Sequence, residues 1–375
     1  MRLKYICYFY IQKGMMQNVC FFNSTKFWGG GEKSHLEYAI NFQRKNYKVF
    51  IVTSKGSVLE QRANQQKIQV ASFKIGNRSF LDPIKINHLS LFFRDNRIDT
   101  VFLNSSPDLK LGGLAAKKAG VKNIIYMRGL AVPIKKNLLN KYLLTKVVTH
   151  LVPNSFDTRK NMLTNFSPSL GENKVTVIYR GINFEDWNSR EEEPVNFKNG
   201  KEIILGNVGR LVEQKGQQFL IDIALKLKQK GLDFKFYIAG VGPLEEQLKK
   251  RVRQNNLENN IFFFGFCSNI KSFLKAIDIF VFPSLWEGFG NAMVEAMYEK
   301  KPVVAFNRTS NPEIVTSGST GFLVDYPDID SFADNIFELA NNSKLCSQIG
   351  ENAKISVSQR FSFDKILKDW ENLLD

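Results

Sequence analysis

The sequence predicts an α/β protein made of two Rossmann-like domains facing across a cleft. Three observations carry that expectation. Short β-branched or aromatic runs alternate with longer amphipathic stretches along almost all of the 375 residues, the pattern of parallel sheets covered by helices on both faces. The alternation breaks once, at 183–201, where NFEDWNSREEEPVNFKNGK is polar, carries Pro194 and an acidic triplet, and has no clean period. Net charge changes sign at the same place. Residues 1–190 hold 30 Lys and Arg against 11 Asp and Glu, a net of +19, whereas residues 191–375 hold 22 against 25, a net of −3, within an overall +16.

Taken in order, the expected strands of the first half are 19–23, 49–53, 68–73, 100–103, 124–127, 147–152 and 175–179. Those of the second half are 203–208, 234–239, 261–264, 279–283 and 303–306. Helical periodicity is clearest over 34–45, 217–230 and 244–255, and over 361–374, which carries Trp370. The resulting division is an extension at 1–15 that the fold does not need, domains at 16–190 and 191–360, and a terminal helix at 361–375. Each domain is long enough to bury its own core.

Composition excludes several classes. A chain that is 43% hydrophobic and 23% charged is not disordered. Cys7, Cys20, Cys267 and Cys346 show neither pairing nor metal-ligand spacing, so they read as buried thiols of a reducing compartment, the cytosol. No segment reaches the roughly 18 apolar residues of a membrane span. The basic start and the apolar run 5–11 hint at an export signal, but the run is short and no small-residue cleavage site follows.

Chemistry in such folds is sought in loops after strands. The strongest candidate is PSLWEGFGNAMVEAM at 283–297. Glu287 and Glu295 would be separated by roughly 80° on one continuous helix, so they do not share a face. Glu287 is therefore expected in the loop and Glu295 inside a helix beginning near Phe289. Gly288 and Gly290 let backbone amides approach a ligand, and a helix N-terminus favours an anion such as a diphosphate. Glu295, one turn in, suits two ribose hydroxyls. Read alone, the segment fits a glycine turn and a surface glutamate equally well.

NVGRLVEQKG at 207–216 places Arg210 and Lys215 on a glycine-bounded loop after a strand. Two such cations can neutralise a diphosphate as a bond to it breaks, one as a planar fork and one as a point charge. Read alone, two solvated basic residues explain the loop better. WGGGEKS at 28–34 is a glycine loop entering a helix, suited to phosphate or sugar approach. It is not G-x-G-x-x-G, since Ser34 takes the third glycine position and Thr53, Ser54 and Lys55 follow the second strand where an acid belongs. A nicotinamide or flavin dehydrogenase is thereby disfavoured.

With these motifs in order, the chain resembles retaining glycosyltransferases of the GT-B fold, in particular glycosyltransferase family 4. The resemblance runs from about Met16 to the C-terminus and is densest over 203–325. It rests on E-x7-E at Glu287 and Glu295, G-R-L-x-x-x-K-G at 209–216, A-G-x-G-P at 239–243, and P-E-I with G-F-L-V within 312–324. It implies that Arg210 and Lys215 bind a donor diphosphate and that Glu287 lies by the donor sugar, these three forming the catalytic group. It further implies that Gly242, Gly288, Phe289, Gly290 and Asn291 present backbone to the donor, and that Glu295 holds the ribose. Gly30 and Gly31 would approach the donor from the acceptor-binding first domain, and the terminal helix would cross back to that domain. The implied reaction moves a sugar from a nucleotide-diphosphate sugar to a hydroxyl with retention and without a cofactor.

One departure stands out. Many relatives carry a histidine in the loop after the mid-domain strand, where this chain reads IIYMRGLAVP; Arg128 is expected to take part of that role on the acceptor or sugar side. His35, His88 and His150 lie elsewhere, and His35 is expected either toward the cleft or on a helix surface. No metal is expected: the D-x-D string at Asp328 and Asp330 begins a late helix, where acids cap and complement the dipole.

The basic residues from Lys110 to Lys146 include no acid among them. With no RNA-binding aromatic signature, nucleic acid is not an expected partner. The segment 137–151, NLLNKYLLTKVVTHL, reads either as a surface lying on anionic lipid or as a solvated basic face over buried leucines. The leading expectation is a cytoplasmic enzyme, peripheral on the inner membrane face, that builds cell-surface polysaccharide or lipopolysaccharide on a glycan or lipid-linked acceptor. The alternatives are a sugar-nucleotide epimerase or phosphorylase on the same fold, and a non-catalytic binding module.

Overall fold

The computed structural model describes residues 17–166, 170–171, 174–192 and 195–374; the expected extension 1–15, Met16 and Pro194 lie outside them. Contacts divide the chain into two units. The first holds the described residues up to Asn154 together with Arg159–Val177, and the second holds Ser155–Thr158 together with those from Ile178 onward.

In the first unit, β1 (Asn18–Asn23), β2 (Lys48–Ser54), β3 (Gln69–Phe73), β4 (Thr100–Leu103), β5 (Asn123–Arg128) and β6 (His150–Pro153) form one sheet in the order β3-β2-β1-β4-β5-β6, and every pairing is parallel. Val19, Cys20, Phe21 and Phe22 are all buried, because helices cover both faces and neither side of the strand meets water. One face packs Cys20, Phe22, Val101 and Leu103 into the main apolar cluster. On the other, Phe21 stacks on Phe102 at 4.5 Å and meets Phe42 edge-on. The helices are α1 (Gly30–Arg44), α2 (Val58–Gln65), α3 (Pro83–Asp95), α4 (Ser106–Ala119), α5 (Leu138–Tyr142), continued by a π-helical turn at Leu143–Val147, and α6 (Phe156–Leu163), whose first residues join the second unit.

In the second unit, β7 (Ile203–Val208), β8 (Phe234–Ala239), β9 (Ile261–Gly265), β10 (Ile279–Phe282), β11 (Val303–Phe306) and β12 (Gly321–Val324) run in the order β12-β11-β10-β7-β8-β9. Counted from β7, this is the winding of the first sheet. In each unit the winding reverses after the third strand, and a crevice opens at the carboxyl ends of the two strands flanking the reversal. Those pairs are β1/β4 and β7/β10. The helices α7 (Phe184–Ser189), α8 (Gln217–Gln229), α9 (Glu245–Gln254), α10 (Ile270–Ala276), α11 (Asn291–Tyr298), α12 (Asn311–Ile314), α13 (Ile329–Asn341), α14 (Ser343–Phe361) and α15 (Phe363–Leu374) complete the unit. The α/β GT-B fold expected from the sequence is thus present, with the strand order of a Rossmann fold in each half.

Four expectations are corrected. The run 175–179 is not a strand: Val175 makes a single bridge to Leu151, and the run is apolar because Val175 and Ile178 are buried. Gly321–Val324 is a strand that the sequence reading left unassigned as such. The expected linker 183–201 contains α7, held by Trp187, whose Nε1 donates to Glu299 at 2.6 Å, and by Asn188, which donates to Tyr298 Oη at 2.9 Å. By contacts α7 belongs with the second unit, which begins at Ile178 and also takes in Ser155–Thr158. The segment 147–149 is helix end and loop, with β6 beginning only at His150.

The terminal helix α15 is counted with the second unit. It buries Phe363, Ile366, Leu367, Trp370 and Leu374 on one face. Ile182 bridges to the junction before it, donating from its N–H to Phe361 O at 2.9 Å and accepting from Phe363 N at 3.0 Å. Of the described cysteines, Cys20 is fully buried and burial pushes its thiol well above the ordinary value, while Cys267 and Cys346 are half-buried rather than buried. Among the described residues no helix is long and apolar enough to cross a membrane.

Candidate functional site

In the second unit the strand order brings the loops after β7 and β10 together. Beyond Val208 the chain runs through Gly209, Arg210, Leu211 and Val212 into a single 3-10 turn, Glu213–Lys215, and α8 starts at Gln217. Gly216 between them has φ +65°, and a Cβ there would lie 2.1 Å from Pro283 O at the end of β10. On the other side, a Cβ on Gly240 would lie 1.9 Å from Gly209 O. Glycine is required at both places because main chain presses on main chain. Gly242, from the expected A-G-x-G-P turn, sits equally close to the Leu211 backbone.

Hydrogen bonds fix these approaches. Leu285 N donates to Gln214 O at 2.8 Å, and Gln214 Nε2 donates to Trp286 O at 2.8 Å. Lys215 is thereby aimed at the second loop, where its Nζ meets Glu287 Oε1 at 2.5 Å and lies 5.8 Å from the Phe282 ring centroid. Glu287 is only 6% exposed. Its N–H donates to Thr309 Oγ1 at 3.1 Å, and its carbonyl accepts from Ser310 Oγ at 3.4 Å. A buried carboxylate of this kind is tolerable because a cation accompanies it. Arg210, five residues before Lys215 on the first loop, is exposed, and its carbonyl accepts from Gln217 Nε2 at 2.9 Å.

The second loop turns into α11 at Gly290, whose φ of +71° makes it the N-cap, so the helix begins at Asn291 rather than near Phe289. Phe289 is buried instead, 5.9 Å from the Tyr179 ring and 5.1 Å from Phe361. That anchor holds the neighbouring Gly288 and Gly290 in place. Glu295 lies one turn into α11 and is 6% exposed. Two buried polar atoms at this strand end, Ser284 Oγ and Asn291 Oδ1, have no partner among the described residues. Buried polar atoms are almost always satisfied, so these two suit the polar groups of a ligand. The α11 amino terminus, Arg210 and Lys215 follow the same two strand ends, and groups of these kinds suit an anionic, hydroxylated molecule.

The first unit furnishes its own crevice at β1/β4. Gly30 and Gly31 are not a loop before the helix but the first turn of α1, and a Cβ on Gly31 would lie 2.5 Å from Asn104 Nδ2 just beyond β4. The buried Asp108 accepts from Ser24 N at 2.8 Å and Ser105 N at 2.7 Å, tying the two strand ends together. Burial raises its carboxyl above the ordinary aspartate range. An open cavity of about 300 Å³ lies here, lined by Ser24, Thr25, Ile75, Gly76, Asn77, Ser105 and Pro107. Arg128 ends β5, half-buried, donating from Nη2 to Val132 O at 2.9 Å and from Nη1 to Tyr126 Oη at 3.4 Å. His35 is on neither a helix surface nor a crevice wall: it is fully buried, edge-on to Phe21 at 5.5 Å. Asp328 caps α13, accepting from Ser331 N at 2.9 Å.

Of the residues singled out from sequence, Arg210, Lys215, Gly242, Glu287, Gly288, Phe289, Gly290, Asn291 and Glu295 belong to the second unit, and Gly30, Gly31 and Arg128 to the first. The sequence reading missed Gln214, Ser284, Thr309 and Ser310. Each follows a strand end, but only the β7-β10-β11 adjacency shows that Thr309 and Ser310 hold the Glu287 backbone and that Gln214 holds Leu285 and Trp286 before it.

Two family models match the chain: Glycosyltransferase Family 4 over residues 28–186, and Glycosyl transferases group 1 over 188–356. An uncharacterized glycosyltransferase of Methanocaldococcus jannaschii, MJ1178, is 31% identical over 271 residues, 71% of this chain and 72% of its own. The chain belongs to glycosyltransferase family 4. Within this family it is 28% identical to the capsular polysaccharide biosynthesis glycosyltransferase CapM of Staphylococcus aureus, over 88% of this chain and 90% of that protein. It is 32% identical over 183 residues, 48% of its length, to the poly(ribitol-phosphate) α-N-acetylglucosaminyltransferase of Staphylococcus aureus, and there it spans only 37% of the relative. Among solved structures, Anabaena HepE in complex with UDP superposes with a TM-score of 0.80 at 20% identity, covering 96% of this chain and 99% of that one. A glycosyltransferase from Rickettsia africae gives 0.80 at 19%, covering 96% and 98%. These two likenesses speak for the fold.

Proposed function

We propose that this protein is a retaining, metal-independent glycosyltransferase that moves a sugar from a nucleotide-diphosphate sugar to a hydroxyl of a glycan or lipid-linked acceptor in cell-surface polysaccharide synthesis. The observation that carries the reading is the Lys215–Glu287 pair at the switch point of the second sheet, beside the exposed Arg210 and the α11 amino terminus. As the glycosyl–oxygen bond breaks, negative charge grows on the departing diphosphate. Arg210, Lys215 and the α11 amides would stabilise it without rearrangement, because the loops are already pinned to each other. Glu287 would orient Lys215 and face the donor sugar, Glu295 would hold the ribose, and Gly242, Gly288, Phe289, Gly290 and Asn291 would offer main chain to the donor.

Gly30, Gly31 and Arg128 would serve from the first unit, on the acceptor or sugar side. The acceptor oxygen attacks the anomeric carbon on the face that the diphosphate leaves and its proton passes to the departing diphosphate, which gives retention and requires no nucleophilic side chain. The relatives named for capsular polysaccharide and for poly(ribitol-phosphate) support an acceptor at the cell surface, as does one named for α-1,3-galactosyl transfer to a GlcNAc-diphosphoundecaprenol. Such an acceptor would place the enzyme peripherally at the cytoplasmic face of a membrane.

The test is a thermal-shift panel of nucleotide-diphosphate sugars, followed by product analysis with the best binder, with and without chelator. A stabilising donor, an anomer of unchanged configuration and turnover indifferent to chelator are expected. An inverted product overturns retention, and loss of turnover in chelator overturns metal independence.

A further inference from the structure

Outside the crevices, the most unusual surface lies on the first unit along α5 and the π-helical turn that continues it. Leu143, Leu144 and Val147 point into the core. Leu138, Tyr142 and Lys146 follow one another at four-residue spacing and face outward, Leu138 being 87% and Tyr142 44% exposed. Lys117, in the last turn of α4, crosses to this face: its Nζ lies 5.2 Å from the Tyr142 ring centroid and donates to Lys146 O at 2.7 Å. Lys174 joins from the following segment, donating from Nζ to Thr145 O at 3.1 Å.

No acidic residue stands between Asp108 and Asp157 in the sequence, and among the described residues none pairs with Lys117, Lys146 or Lys174. Burial and the repulsion of Lys146 and Lys117 hold the Lys174 ammonium below its ordinary pKa, as befits cations gathered together. Three ammonium groups around one helix end call for a multivalent oxyanion. Exposed apolar side chains on the same face call for something else as well, since a water-borne polyanion gives Leu138 nothing to bury. Leu130 and Val132, in the loop before α5, extend the exposed apolar strip.

We propose that Lys117, Lys146 and Lys174 bind the phosphate of an anionic membrane lipid while Leu138 and Tyr142 enter the boundary between headgroups and acyl chains. Cations over a phosphate layer, an aliphatic wedge and an aromatic ring at headgroup depth are the parts of an interfacial binding surface. The proposal rests on the proposed function only in that a lipid-linked acceptor gives the surface a use.

The experiment is co-sedimentation of the full chain with vesicles of phosphatidylcholine alone or mixed equally with phosphatidylglycerol, and soluble polyphosphate as competitor. Lys117, Lys146 and Leu138 are exposed, so their variants should fold, which equal melting temperatures will verify. The chain should bind the mixed vesicles and not the neutral ones. Lys117→Gln and Lys146→Gln should each weaken binding about fivefold, and Leu138→Glu by at least tenfold. Binding of Leu138→Glu equal to that of the unaltered chain overturns the proposal. So does polyphosphate binding that matches vesicle binding and ignores Leu138→Glu, because the partner is then a soluble polyanion. The vesicle measurement uses no donor, and donor binding by the same variants is read separately by calorimetry. Failure of the surface and failure of the transferase reading are therefore told apart.

Discussion

The two units wind six parallel strands in the same order, yet their switch points are furnished differently. At β7/β10, glycines press three loops together, and Lys215, Glu287 and Arg210 gather beside a helix amino terminus. At β1/β4, the opening is lined by Ser24, Thr25, Asn77 and Ser105; nearby, the buried Asp108 is committed to backbone amides and the buried Glu32 accepts from Asn23 Nδ2 at 3.2 Å. Overall charge is thus no guide to the switch points: the half at −3 sets Arg210 and Lys215 against Glu287 and Glu295, and the half at +19 lines its opening with hydroxyls and an amide. Overall charge governs what a surface attracts from a distance; the loops after two particular strands decide what is bound.

The largest test of this contrast is chemical. Arg210→Ala and Lys215→Ala should each lower kcat by about 10²–10³, or about 3–4 kcal/mol of transition-state stabilisation, measured with the best donor. Near-normal turnover in either would remove the charged crevice from the mechanism. The next test is steric. Gly216→Ala forces a Cβ against Pro283 O at a positive φ and should cost about 2–3 kcal/mol in denaturant unfolding. Gly76→Ala, in the first-unit cavity with nothing within 4 Å of the new Cβ, should stay within about 0.5 kcal/mol. Equal effects would mean that the two crevices are equally packed.

A smaller effect is expected at the edge of the first crevice. Ser105 caps α4 in a reciprocal arrangement with Asp108, so Ser105→Ala should lose about 1 kcal/mol. The smallest concerns pH. Burial first, then Lys174, lowers the His150 pKa in the folded protein. The unfolded chain therefore takes up the proton more readily as pH falls through about 6.5, and stability declines on the acid side of that value. His150→Gln should flatten that decline only slightly, because the ring is half-exposed and screened, and should not alter the slope at pH 8. Melting curves across this range will show it.

Much of the fold was legible because buried parallel strands are short apolar runs bounded by turns, and 100–103, 203–208, 234–239 and 303–306 coincide with the strands found. Failures came where burial and extension part company. The run 175–179 is apolar without pairing as a strand, whereas Gly321–Val324 opens with glycine and is only partly buried. Trp187 was hidden in a polar stretch that looked like a linker, and the buried His35 in a helix whose register a single ring does not reveal. In the site, the residue types were readable but their company was not. Lys215 and Glu287 are 72 positions apart, and only the β7/β10 adjacency makes them partners. Thr309 and Ser310 carry no motif, so nothing before the structure pointed to them.

The main-chain contacts at Gly216, Gly240 and Gly242 have a consequence for anyone wishing to redesign this enzyme. A cradle formed by backbone has no side chains to exchange, so its contour is largely closed to ordinary mutagenesis. Variation would have to be sought among exposed side chains near these loops, such as Val241 and Trp286. Libraries confined to such positions leave the glycine framework intact.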